Sequence, residues 1–172
     1  MERRKKHTVP RKQTFINFVK EGQKVPATKQ TRGILHTSET WEMRIDLGRK
    51  LVFPEVVQTT LRPDIVIWSE RSKKLVAVEL TVPWEERCDE AFERKSNKYS
   101  QLMADCRQAG WSAWLFPVEV GSRGFPAQSM WRMLTALGIV GRERKQAIQA
   151  VGSAAEKSSS WLWLHREKES WS

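Results

Sequence analysis

Residues 75–81, Leu-Val-Ala-Val-Glu-Leu-Thr, constrain this chain more tightly than any other stretch. A run this apolar reads as a strand buried on both faces at the middle of a covered sheet. Glu79 stands inside it. A carboxylate there needs a partner, because burying it alone costs several kcal/mol or forces protonation. A neighbouring strand is at hand. Residues 65–68, Ile-Val-Ile-Trp, are β-branched or aromatic and follow Pro63 closely. The polar stretch from Ser69 to Lys74 suits a hairpin connection. That pairing sets Asp64 and Glu79 on adjacent strands, where both carboxylates can converge on one cation. Mg²⁺ prefers such a site, one or two carboxylates completed by water and phosphate oxygens. An ion pair of Glu79 with Lys95 or Arg94 would satisfy the acid equally well.

The next element sharpens the choice. A helix is expected from Pro83–Glu86 to about Gln108. Its apolar positions, Cys88, Ala91, Phe92, Tyr99, Leu102, Met103, Cys106 and Ala109, recur at helical spacing. Lys95 falls on that stripe and Lys98 lies beside it. Either their aliphatic stems pack and the ammonium groups snorkel to water, or Lys95 reaches back toward Glu79 and Asp64. An amine there could orient an attacking water or stabilise charge on a phosphate.

Pro63-Asp64, a gap of fourteen residues, then Glu79-Leu80-Thr81 resembles the PD-(D/E)xK pattern of restriction-like endonucleases. Thr81 departs from it, since the pattern has a lysine two residues after the second acid. Lys95 followed by Lys98-Tyr99 resembles a variant found in the endonuclease domains of site-specific non-LTR retrotransposons, in which the lysine has moved from strand to helix. Residues 59–64 and 79–85 are similar to the C-terminal part of retroelement reverse-transcriptase polyproteins, and the resemblance spans roughly residues 30–165. It implies a restriction-endonuclease-like α/β/α sandwich with a central mixed sheet. It also implies Mg²⁺- or Mn²⁺-dependent hydrolysis of DNA phosphodiesters, nicking one strand per site, with RNA left open as a substrate. In that reading Asp64 and Glu79 hold the metal, with the Leu80 backbone carbonyl as a further ligand, and Lys95 positions the nucleophile or offsets charge. Lys98, Tyr99, Arg62 and Arg123 meet the nucleic acid, with Tyr99 packing or hydrogen-bonding beside the site, and a structural bridge as open to Arg123 as a phosphate contact. A helix before the sheet contributes another acid, Glu42 by position, with Glu39 behind it. The implied partner is a reverse-transcriptase segment of a longer parent polyprotein, in the nucleus. The competing classes are a catalytically inactive nucleic-acid-binding remnant of the same fold, which Thr81 makes a real alternative, and a structural domain bridging partners.

The rest of the chain sets bounds. A length of 172 residues suits one domain. The formal charge of +10 favours a polyanionic partner. Residues 1–30 carry nine Lys or Arg against two Glu and read as a basic flexible segment, able to grip phosphates or direct nuclear import. The nuclease domain is expected over 31–165 and fraying over 166–172. No apolar run approaches the ~20 residues of a membrane span, so no membrane partner is expected. Cys88 and Cys106 lie about five turns apart in one helix and cannot pair there, which fits a reducing compartment. The nine tryptophans read mainly as core residues, with base stacking the rarer role.

Ser38 and Gly48 read as N- and C-cap of a helix over residues 37–48, and Leu51–Val57 as an edge strand or extended approach. Trp111–Val120 reads as a third core strand, with Glu119 pairing Arg123 or capping a backbone group. Gly121–Pro126 is a turn. Helices follow over Ala127–Leu137 and Gly141–Ser160, and Trp161–Leu164 fits either a helical extension or a short apolar strand.

Overall fold

The computed structural model describes residues 33–166, so the basic segment 1–30 and the fraying expected beyond Arg166 lie outside the described residues. The fold is mixed α/β: a four-stranded mixed sheet with three helices. Strands β1 (Glu42–Ile45), β2 (Ile65–Ser69), β3 (Lys74–Thr81) and β4 (Ser112–Glu119) lie in the order β1-β2-β3-β4. The first three are antiparallel neighbours, whereas β4 runs parallel to β3. The parallel pair needs a long crossover, and helix α1 (Cys88–Gln108) provides it. Helices α2 (Gln128–Leu137) and α3 (Gly141–His165) follow. No helix among the described residues is long and apolar enough to cross a membrane.

The alternation of side chains along each strand splits the core in two. Val66, Trp68, Leu75, Ala77 and Ala113 pack against Tyr99, Leu102, Met103 and Cys106 of α1. Val76, Val78 and Val118, from the intervening positions, pack against Met130, Met133, Leu134 and Leu137 of α2, with Ile148 and Val151 of α3 behind them. Helices thus cover both faces, and β3 is buried continuously from Leu75 to Glu79, as its composition requires. Strand β4 is an outer strand, and it carries Pro117 opposite Glu79.

The structure departs from expectation at residues 37–48 and narrows the readings of two other stretches. The helix over 37–48 is instead a 3-10 turn, Ile34–Thr37, followed by strand β1. Pairing with β2 overrides the cap signals, helped by Arg44, whose guanidinium lies 5.0 Å over the Trp68 ring and donates to the Val52 carbonyl at 2.8 Å. Of the two readings of residues 51–57 the edge strand does not form, leaving an approach segment in which Leu51, Phe53 and Pro54 are buried against the α1-side core. Glu119 does not pair with Arg123. Its carboxylate accepts from the Ser129 hydroxyl at 2.6 Å, and Arg123 pairs with Glu85. Burial pushes the Glu119 carboxyl above the usual range, with the Ser129 bond pulling it back. Trp161–Leu164 extend α3.

Gly138 ends α2 with φ +91, a conformation that favours glycine. A Cβ here would sit 2.6 Å from the His36 ring and 2.9 Å from the Gly33 Cα. Gly138→Ala is therefore expected to lower stability by about 1–3 kcal/mol in urea unfolding. An unchanged midpoint would mean that this junction is not tightly packed.

Candidate active site

The sheet register assembles the site. Ile65 stands opposite Val78, and Ile45 opposite Ile65. One residue further along, Asp46, Asp64 and Glu79 fall in a row across three strands, on the face that α1 covers. The Asp46 amide donates to the Asp64 carbonyl at 2.8 Å, continuing the ladder.

Glu79 is 3% exposed. Its Oε1 is held by Lys95 Nζ at 2.5 Å, with Lys98 Nζ at 3.7 Å from the same atom. Its Oε2 is buried without a protein partner. Lys95 reaches it because α1 turns that position inward, one turn after buried Ala91 and one turn before buried Tyr99. Asp64 is half-buried, and its Oδ2 accepts from the Leu80 amide at 2.6 Å. Burial pushes the Asp64 carboxyl above the usual aspartate range; the Leu80 N–H pulls it back and the Glu79 charge pushes it further up.

Other expected members are redistributed. Tyr99 is 0% exposed, so it is not a nucleic-acid contact. Its hydroxyl donates to the Arg62 carbonyl at 2.9 Å and accepts from Lys98 Nζ at 3.0 Å. Burial, then Glu79, pushes the phenol upward, so it stays a donor. Tyr99 thereby ties α1 to the Arg62-Pro63-Asp64 approach. Lys98 is exposed near Glu79, and Arg62 is exposed with its guanidinium bonded to the Arg49 carbonyl. Leu80 contributes its amide to Asp64.

Glu42 does not join the site. It is exposed on β1 opposite Trp68, four residues or about 13 Å along the ladder from Asp64. The helix meant to aim it does not form. Glu39 makes an exposed ion pair with Arg71 at 3.8 Å. Arg123 is held by Glu85 at 3.2 Å, on the loop after β4, and does not meet the carboxylates. The acid that sequence reasoning missed is Asp46. It adds to the upward push on both Asp64 and Tyr99, and its Oδ1 accepts from the Leu51 amide at 2.8 Å. Its only sequence signal is its place directly after β1, which the expected helix concealed. Thr81 lies on the Glu79 face two residues on and brings no charge; its hydroxyl oxygen is buried without a partner.

Among the described residues, no group of three or more acidic, His or Cys side chains is arranged to hold a metal. What the site offers is a pair of carboxylates, one with an unpartnered buried oxygen. That set fits a hard cation that keeps several waters and takes only one or two carboxylates. No family model matches the chain, and no curated protein matches it.

Lys95→Met would leave Glu79 buried without its nearest cation. The expected cost is about 3–5 kcal/mol in denaturant unfolding, well above that of a surface lysine such as Lys145, which is exposed on α3. A loss no larger than that of Lys145→Met would remove Lys95 as the partner of Glu79.

Proposed function

We propose that this chain is a metal-dependent DNA endonuclease domain of the restriction-like type, resembling the strand-nicking domains of retroelement polyproteins. The observation that carries the proposal is the Glu79 carboxylate. One of its oxygens is gripped by Lys95 and the other is buried with no protein partner, beside half-buried Asp64. Buried Glu119 also leaves one oxygen unpartnered; what sets Glu79 apart is the second acid, Asp64, beside it.

Asp64 and Glu79, with the Leu80 carbonyl, would hold Mg²⁺ or Mn²⁺. A bound divalent ion supplies an acidified water and stabilises charge on the phosphate. The chain's own residues do the rest. The Leu80 amide fixes one Asp64 oxygen, so the other is aimed by a strand rather than by a loose side chain. Tyr99 holds the Arg62-Pro63 approach. The Lys95 ammonium, two-pronged between Glu79 and the reacting centre, offsets negative charge where the pattern's strand lysine is replaced by Thr81. Lys98 and Arg62, exposed at the rim, meet the backbone phosphates of DNA in the nucleus.

A second reading, an inactive nucleic-acid-binding remnant, draws on the same ion pair: Lys95 already neutralises Glu79, and Thr81 offers no charge. The two readings part on cleavage. The nuclease reading expects Mg²⁺-dependent nicking of supercoiled plasmid, reduced about a hundredfold or more in Asp64→Ala and in Glu79→Ala. Parental cutting by both variants would rule out this site. Salt-sensitive DNA association that survives both substitutions, with no cleavage in the parent under either metal, would favour the remnant.

The raised Asp64 pKa adds a pH signature. The ionised carboxylate binds the cation, and in the fold ionisation is delayed to higher pH than in the unfolded chain. Ionising Asp64 therefore works against folding as pH rises from the ordinary aspartate value through the raised one. Mn²⁺ affinity should climb over that same window in titration calorimetry. Asp64→Asn should lose affinity and flatten the climb; an unaltered climb would remove Asp64 from the ligand set.

A further inference from the structure

Beyond the carboxylates, the most unusual surface is an apolar groove of about 660 Å³ between the segment after β3 and the C-terminal end of α3. Val82 and Trp84 form one wall, Leu162 and Trp163 the other. Trp84 is 60% exposed and Trp163 58%. The charged residues lining the groove are both arginines, Arg123 and Arg166. Glu85 accepts from Arg123 at both its Nε and its backbone amide, which fixes that exposed guanidinium at the rim. The Arg166 guanidinium lies 4.0 Å over the Trp163 ring, backing one face of the indole with positive charge.

We propose that this groove binds a segment of single-stranded nucleic acid, with bases stacked on Trp84 and Trp163 and backbone phosphates against Arg123. Indole faces and guanidinium groups are the combination that holds unpaired strands without regard to sequence. A duplex presents its phosphates outward and keeps its bases stacked, so apolar walls offer it little. Charge is compatible with the same occupant: no acid lines the groove, Glu85 holds Arg123 at its rim, and the chain as a whole carries +10. The position fits as well. Val82 to Trp84 continue directly from Thr81, so the groove opens about 10 Å along the chain from Glu79. A second furrow, reaching Thr81 and Arg94, runs on the other side of Trp84. The proposal rests on the nuclease reading for the identity of the strand, as the unpaired stretch beside the scissile bond.

The test is fluorescence anisotropy of the full chain with a labelled oligo-dT of about 15 nucleotides and with a duplex of equal length, at fixed salt. Trp84→Ala and Trp163→Ala are each expected to weaken oligo-dT binding about tenfold, with duplex binding unchanged and with Trp84→Phe close to the parent. Circular dichroism of each variant checks that it folds. Parental oligo-dT affinity in both alanine variants would overturn the proposal. So would an equal loss on the duplex, a dimer in sedimentation that Trp163→Ala dissolves, or Trp-dependent binding to phosphatidylserine vesicles in place of oligo-dT. A parent that cuts nothing yet binds oligo-dT through Trp84 sinks only the nuclease reading. Nicking that needs Asp64, with Trp84→Ala indifferent to oligo-dT, sinks only the groove.

Discussion

A carboxylate in the middle of a covered sheet dictates the arrangement around it. Glu79 sits where β3 is walled by β2 on one side and β4 on the other, and it has to meet a cation above the sheet. Lys95 meets that need only if α1 is turned one way. The same rotation carries Tyr99, Leu102, Met103 and Cys106 into the core, each a helical step further on. Once Tyr99 is inside, its hydroxyl can satisfy the Arg62 carbonyl, and the loop leading to Asp64 is pinned. One buried charge thus sets the phase of a helix, the approach of a loop and the shape of the site.

Where the lysine comes from also matters. A lysine at position 81 would have its place set by the strand itself, two residues from Glu79 on the same face. An amine at Lys95 has its place set by how α1 packs on the sheet. Its position then depends on core contacts such as Ala91 and Tyr99. In this arrangement the packing of the hydrophobic core and the electrostatics of the carboxylates are one problem.

The hairpin of β2 and β3, helix α1, strand β4 and helix α2 were legible because each announces itself locally: an apolar run, a helical stripe, a glycine stop at Gly138. The pairing of Asp64 with Glu79, and the inward turn of Lys95, follow from those same periodicities. What was not legible depends on distant partners. Strand β1 is four residues long and wholly exposed, so its composition carries no strand signature; its ladder with β2 decides it. That error concealed Asp46 and promoted Glu42. Tyr99 reads as part of the helical stripe, but its bond to the Arg62 carbonyl and its cover by the 51–63 segment depend on partners distant in the chain. Glu119 chose Ser129 over Arg123 because α2 returns beneath the end of β4, which no spacing within the strand reveals.

The outer position of β4 carries a consequence for the life of the molecule in a crowded solution. Eight extended residues at a sheet margin, with Trp114, Leu115 and Phe116 among them, are the kind of template on which a foreign chain can zip itself and begin a fibril. Pro117 has no amide hydrogen, so the row of donors that such a guest must follow is broken just after its most adhesive stretch. The proline beside Glu79 is therefore a guard against self-association as much as a member of the strand.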